Sequence, residues 1–262
     1  KTGIPTEAKR QYHIGNTSVY LTGYNDEPPT DTLRLRTMTL YYSGKKPGIR
    51  PSALMRNFFF RKGELFSQDR QTFTQEAIAR MGVFRYSEFR YALKDTTAGC
   101  DTLNVNMYAT FDKLYNAELE LNVTNKSTDQ MGPGAVFKLT RNNFQRMGAD
   151  LSLEVRGSYE WQTNKTVEGN NSKLNSYEFG TSLSLDFPRL ILPWKDSELR
   201  RSRFRQKTSF KVYGDWLNRA RFFNMLSFGG NVTYEFRPSR LWKHTITPFQ
   251  LTFNTLMSTT ER

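Results

Sequence analysis

The chain has 262 residues, a formal net charge of +13, 37% hydrophobic residues and 14% aromatic ones; the length suits one large domain or two of ordinary size, and an apolar content that is aromatic and β-branched favours strands. No apolar run approaches the roughly 18 to 20 residues of a transmembrane helix, which excludes a helical membrane protein. A β-barrel is not excluded, because its strands carry apolar residues only at alternate positions and keep mean hydropathy low, here −0.67.

Lys1 to Pro5 has no apolar core behind it, so the start reads as a processed or excised piece rather than a signal peptide. Tyr12 to Leu21 suggests a short strand through Ile14, Val19 and Leu21. Thr22 to Asp31, with Pro28 and Pro29, reads as a loop, and Leu33 to Tyr42 as one extended piece of alternating basic and apolar residues. After a turn at Ser43 to Gly48, Pro51 and Ser52 open a helix whose Ala53, Leu54, Met55, Phe58 and Phe59 share a face and which Gly63 closes. Thr72 or Thr74 caps a second helix, Gln75 to Met81, which stops at Gly82 and turns Ile78 and Met81 inward. Two strands follow, Phe84 to Leu93 and Leu103 to Phe111, joined by the turn-rich stretch 95–101. Strand, helix, helix, strand, strand predicts a small α+β domain with both helices on one face of a short sheet.

From Leu114 the helical signals vanish and period-two alternation takes over. Leu119, Leu121 and Val123 alternate with Glu118, Glu120 and Asn122; Leu151, Leu153 and Val155 with Ser152, Glu154 and Arg156; Phe179, Leu183, Leu185 and Phe187 with Glu178, Ser182 and Ser184. The same holds for Phe210, Val212 and Trp216 against Lys211 and Asp215, for Phe228, Val232, Tyr234 and Phe236 against Asn231, Thr233 and Glu235, and for Phe249, Leu251 and Phe253 against Gln250, Thr252 and Asn254. Several runs reach the roughly 9 to 11 residues that a tilted membrane strand needs, and about seven strands are expected. Short connections, Asn125 to Met131 and Leu217 to Arg219, are expected on one side, and long ones, Thr163 to Ser176 and Pro188 to Ser202, on the other.

Basic charge concentrates between Arg34 and Arg90 and between Arg189 and Arg221, without zinc-finger spacing, a basic recognition helix or an RNA-recognition aromatic signature; solvated surface beside anionic lipid or acidic client segments is favoured over nucleic acid. Cys100 is the only cysteine, and His13 and His244 are the only histidines, which excludes an internal disulfide and a cysteine-rich zinc site; no cofactor or metal is expected. Glu118, Glu120, Glu154 and Asp215 alternate as lumen-wall residues do, and no histidine or serine stands where a triad would need it. No enzyme is therefore expected; loss of an activity on Glu154→Gln would reverse that. Gly229-Gly230 suits strand curvature rather than phosphate binding, since no helix follows.

At Gly63-Glu64-Leu65-Phe66 and Met81-Gly82-Val83-Phe84 the first part resembles a POTRA (polypeptide-transport-associated) domain. At Phe137-Lys138-Leu139-Thr140-Arg141-Asn142-Asn143-Phe144, then Gly148-Ala149-Asp150-Leu151, and at Phe187-Pro188, the second part is similar to the opening of the surface-antigen barrel of the BamA/TamA superfamily. The family's Arg-Gly-aromatic lid motif is absent; Arg156-Gly157-Ser158 is too early and lacks the aromatic. The resemblance implies an α+β POTRA domain over 1–111, followed over 112–262 by the N-terminal half of an all-β antiparallel transmembrane barrel.

It further implies a periplasmic domain and an outer-membrane barrel that work through backbone hydrogen bonds. Extended clients, unfolded outer-membrane or secreted polypeptides, would add to the edge strand Phe84 to Leu93, at Arg85, Tyr86, Glu88, Phe89 and Tyr91. Lys113 to Asn125 would be the lateral gate, with Ala117, Glu118, Leu119, Glu120, Leu121, Asn122 and Val123. Outer-membrane lipid and periplasmic or lipoprotein assembly subunits are the other implied partners. A two-partner-type exporter is the alternative within the superfamily. A basic soluble β-rich module for polysaccharide or nucleic acid is the alternative outside it, and requires the apolar faces to pack against a second sheet.

Overall fold

A computed structural model of the chain describes residues 10–95, 100–126, 130–162, 176–192, 205–219, 223–239 and 241–259. It divides into two units, Lys1–Leu114 with Asn142–Ala149 and Ser197–Arg205, and Tyr115–Arg141 with Asp150–Asp196 and Gln206–Arg262.

The first unit runs β1 (His13–Thr22), β2 (Asp31–Arg34), β3 (Thr39–Tyr42), α1 (Pro51–Met55), α2 (Gln68–Arg80), β4 (Phe84–Leu93) and β5 (Thr102–Phe111). Its sheet has the order β2-β3-β1-β5-β4; β1 runs parallel to β3 and β5, while β2–β3 and β4–β5 are antiparallel. Alternation along the strands sends Val19, Leu21, Leu40, Val105 and Met107 into one core with Leu54, Ile78 and Met81 of the helical segment. The residues of opposite parity, Tyr20, Tyr41 and Tyr108, stack across three strands with ring centroids 4.6 and 4.8 Å apart.

Three details differ from the sequence reading. Leu33 to Tyr42 is a hairpin, not one extended piece, because the Leu35 amide donates to the Met38 carbonyl at 2.9 Å and folds β2 back on β3. The first helix ends at Met55 instead of continuing past Phe59, although Phe58 is still buried. The Phe59 amide is instead taken by the Thr74 hydroxyl at 3.2 Å. That bond leaves Thr74 inside α2, fully buried and donating to the Arg70 carbonyl, so α2 begins at Gln68, without a side-chain cap from Thr72 or Thr74. Gly82, at φ +62°, does provide the left-handed stop.

The second unit is one seven-stranded antiparallel sheet in chain order: β6 (Tyr115–Lys126), β7 (Gln130–Phe144), β8 (Ala149–Gln162), β9 (Ser176–Phe187), β10 (Gln206–Arg219), β11 (Phe223–Phe236) and β12 (His244–Thr259). Among the described residues β6 and β12 are its edges. Leu217 to Arg219 belongs to β10 rather than to a connection, since Leu217 pairs with Met225 and Arg219 with Phe223. Short and long connections do not sort by side either. Thr163 to Ser176 joins β8 to β9 and Pro188 to Ser202 joins β9 to β10, and successive connections of an antiparallel meander fall at opposite ends. Most of both, with 96–99 and the centre of Asn125 to Met131, lies outside the described residues.

Candidate functional site

Among the described residues β4 lies at one edge of the five-stranded sheet, and no described strand pairs with its outer row of backbone N–H and C=O groups. Arg85 sits at a register irregularity between Phe84 and Tyr86 and donates to Asp26 at 2.9 Å. Tyr86 donates to Glu88 at 2.7 Å, Arg90 holds the same carboxylate with two hydrogen bonds of 2.8 and 3.0 Å, and the Arg90 guanidinium lies 5.1 Å from the Tyr108 ring. The hydrogen bonds from Arg90 and then Tyr86 hold the Glu88 carboxyl below its ordinary range. Phe89 and Tyr91 point the other way, Phe89 against Phe58 and Phe60 and Tyr91 against Phe66. Two of the five edge residues singled out from the sequence therefore fill the interior side of the strand, and Tyr86 and Glu88 are presented on the helix-free face.

The Tyr91 hydroxyl is buried without a hydrogen-bond partner among the described residues, and burial pushes its pKa up to about 12. An unsatisfied buried hydroxyl costs about 1–3 kcal/mol, so Tyr91→Phe should raise stability by about 1 kcal/mol near neutral pH. A tyrosine whose folded pKa exceeds its unfolded value near 10 releases its proton more readily when unfolded. Its protonation thus favours the fold fully below about pH 10, and that contribution is lost as pH climbs through about 12. Urea unfolding at pH 8 and pH 11 should show the stability gap between Tyr91→Phe and the natural chain widening at the higher pH; the same gap at both pH values would contradict the buried hydroxyl.

In the second unit, cross-strand register gathers the alternating residues of all seven strands onto two faces. Leu119 pairs with Phe137, Leu153 with Leu183, Leu183 with Val212, Phe210 with Val232 and Phe228 with Phe253. On β6, Ala117, Leu119, Leu121 and Val123 stand on this apolar face, where Leu119 and Leu121 are 67% and 74% exposed, and Glu118, Glu120 and Asn122 stand on the other. Phe179, Val212, Phe249 and Phe253 are likewise exposed; among the described residues no second sheet covers the apolar face.

The opposite face is a polar network. Arg156 reaches Asp215 at 2.6 Å and Glu178 at 3.6 Å, Lys207 reaches Asp186 at 3.3 Å, and Lys138 reaches Glu118 at 3.9 Å. Thr140 and Ser152, 3.0 Å apart, share it, as do Tyr213 and Thr252 at 2.7 Å. Glu118, Glu120, Glu154 and Asp215 all lie here, and no group of acidic, histidine or cysteine side chains able to hold a metal occurs among the described residues. Of the Lys, Arg, Asp and Glu residues in paired register, Arg141 alone stands on the apolar face, opposite Tyr115 at the rim.

Two rows of aromatics bound the apolar face. At one end Tyr159 pairs with Tyr177, Tyr177 meets Trp216 at 5.3 Å, Asn218 donates to the Tyr177 hydroxyl, and the Trp216 indole donates to Asn224. At the end where β6 begins stand Tyr115, Phe187, Tyr234 and Phe236, the last 5.3 Å from His244. From Tyr177 to Phe187 is eleven residues, within the roughly 9 to 11 that span a bilayer core when tilted. The alternation signalled the two faces, but not the rows, which exist only once register stacks positions from different strands.

The segment after β9 departs most from the sequence reading. Expected to start a polar loop, residues 188–192 instead lie across the apolar face. The Ile191 amide donates to the Thr208 hydroxyl at 3.0 Å, that hydroxyl donates to the Arg189 carbonyl at 2.8 Å, and Tyr234 donates to the Ile191 carbonyl at 3.0 Å. Thr208 is fully buried, and Phe187 and Leu190 are buried beside it. The run Leu190-Ile191-Leu192 was the available signal.

Among solved structures the chain is similar to BamA from Haemophilus ducreyi lacking POTRA domains 1–3, with 13% identity over 88% of this chain and 49% of that one and a TM-score of 0.40. It is also similar to CdiB from Acinetobacter baumannii, with 12% identity, 94% and 47% coverage and a TM-score of 0.38. The chain spans about half the length of each. No protein-family model matches it, and no curated protein is similar in sequence.

Proposed function

We propose that the chain is part of an outer-membrane β-barrel protein that assembles or translocates other polypeptides, with a POTRA-like periplasmic unit followed by the first strands of the barrel. One observation carries this reading: the seven-stranded sheet confines its charges in paired register to one face, Arg141 at the rim excepted, and among the described residues leaves the other apolar and without a second layer, residues 188–192 at one end excepted. A soluble sandwich would cover that face with a second layer; a membrane strand leaves it to hydrocarbon and points its polar neighbours into a wet lumen.

Clients are unfolded outer-membrane or secreted polypeptides. They dock on β4, where Arg85, Tyr86 and Glu88 flank the open backbone and Phe89 and Tyr91 anchor the strand from inside. β6 is the gate: an edge strand with apolar Leu119, Leu121 and Val123 on its lipid side can template an incoming strand by the same backbone pairing. Catalysis, a metal and a cofactor have no part in this, and lipoprotein or periplasmic subunits are the natural partners.

A photo-crosslinking amino acid at Tyr86, on the edge strand, should capture an unfolded outer-membrane polypeptide, whereas the same group at Tyr108, on the interior strand β5, should not. Equal capture at both positions, or none at either, counts against β-augmentation at β4.

A further inference from the structure

The end of the sheet where β6 begins carries a repeated arrangement at two separate places on the apolar side. Arg141, at the end of β7, has its guanidinium carbon 5.8 Å from the Tyr115 ring. Arg189, just past β9, has its own 5.7 Å from the Phe187 ring. β6 begins where β7 ends and β9 ends, so both cations stand at the same rim. Tyr115 and Phe187 lie on the apolar face in register with Arg141 and Thr208, and no Asp or Glu in paired register shares that face.

Arg189 has a further feature. Its Nε is buried and finds no hydrogen-bond acceptor among the described residues, although an arginine N–H in that situation normally has one. The segment that carries it is built for a place at the edge of hydrocarbon: irregular backbone there must have its polar groups satisfied, and the Ile191 amide, the Ile191 carbonyl and the Arg189 carbonyl are all bonded to Thr208 and Tyr234. Leu190 is buried against the sheet, which leaves the guanidinium as the group this segment adds to the rim.

We propose that Arg141 and Arg189 form a docking rim for anionic phospholipid headgroups, whose phosphate oxygens pair with the terminal guanidinium nitrogens while the Arg189 Nε stays buried. This rests on the reading that the apolar face meets lipid, and deepens it by naming the lipid class and the end of the sheet it contacts. Arginine is well matched to such a boundary, because its planar fork pairs with phosphate while its body stays on an aromatic ring beside the hydrocarbon. A cation near an anionic surface gains a severalfold preference that falls with salt.

The test uses the full chain reconstituted in phosphatidylcholine vesicles containing a trace of spin-labelled phosphatidylglycerol or spin-labelled phosphatidylcholine, and reads the motionally restricted fraction of each label. The expected result is a preference for the phosphatidylglycerol label of roughly twofold to fivefold, reduced toward unity in the variant carrying both Arg141→Gln and Arg189→Gln and by high salt. The variant carrying both Arg141→Lys and Arg189→Lys keeps the charge and should retain part of the preference. Equal restriction of the two labels by the natural chain overturns this proposal while leaving lipid contact intact. Restriction of neither label removes the membrane reading itself. Where the glutamine variant fails to insert, salt dependence in the natural chain decides: a preference unmoved by salt overturns the role of the arginines.

Discussion

Replacing Phe228 by arginine should cost about 2 to 4 kcal/mol in folding into a bilayer, the penalty for a cation near the hydrocarbon midplane of a membrane strand, while the neighbouring Ser227→Arg should change stability by no more than about 0.5 kcal/mol. The two residues are adjacent in β11, yet Phe228 pairs with Gly214 and Phe253 on the apolar face, whereas Ser227 pairs with Asp215 and Asn254 on the polar one. An arginine at 227 therefore meets a carboxylate and water; at 228 it meets neither. Folding into phosphatidylcholine vesicles across a urea series, followed by tryptophan fluorescence and heat-dependent gel mobility, measures both. If the two substitutions cost the same, the apolar face does not meet hydrocarbon and the outer-membrane proposal goes with it.

The second large effect lies in the first unit. Ile78→Ala should destabilise it by about 2 to 5 kcal/mol, the range for deleting a fully buried aliphatic side chain that leaves a cavity. Ile78 is fully buried in the last turn of α2 and belongs to the core formed with Leu54, Met81, Val105 and Met107. α2 has no side-chain hydrogen bond at its N-cap, Ser67, so packing of this face holds the helix in place. α2 in turn packs on β4, whose Phe89 and Tyr91 reach the same core. Loosening the helix should therefore also loosen the edge strand. Hydrogen exchange on the full chain should show faster exchange in Gln68–Arg80 and Phe84–Leu93 and unchanged exchange in β8 to β11; protection lost uniformly through both units would mean that they do not behave as separate cores. The same variant should capture less client at Tyr86, which ties the stability of α2 to the proposed docking edge.

Several features were readable because their causes are local. The alternation of Leu119, Leu121 and Val123 with Glu118, Glu120 and Asn122 follows from a two-residue repeat, and the strand it describes is β6, displaced by one or two residues at its ends. Ile78 and Met81 are buried as their helical spacing requires, and Gly82 stops the helix because a left-handed turn favours glycine. Where two local signals competed, tertiary contacts chose between them. Phe58 is buried, as the apolar spacing after Pro51 suggests, but the Phe59 amide is held by Thr74 from α2, and α1 is over by Met55. The sequence places Phe89 and Tyr91 on one docking edge with Tyr86 and Glu88, yet the pleat divides them between the core and the helix-free face.

By itself the sequence determined which residues alternate, where the glycine stop falls and which residues of α2 turn inward, since each of these is a local pattern along one stretch of chain. The tertiary structure alone decided that Arg141 is the solitary charge in paired register on the apolar face, that Arg189 stands at the same rim 48 positions later, and that residues 188–192 cross that face beneath Tyr234. Those facts depend on cross-strand register, which brings together residues far apart in the chain and leaves no periodic trace within either segment.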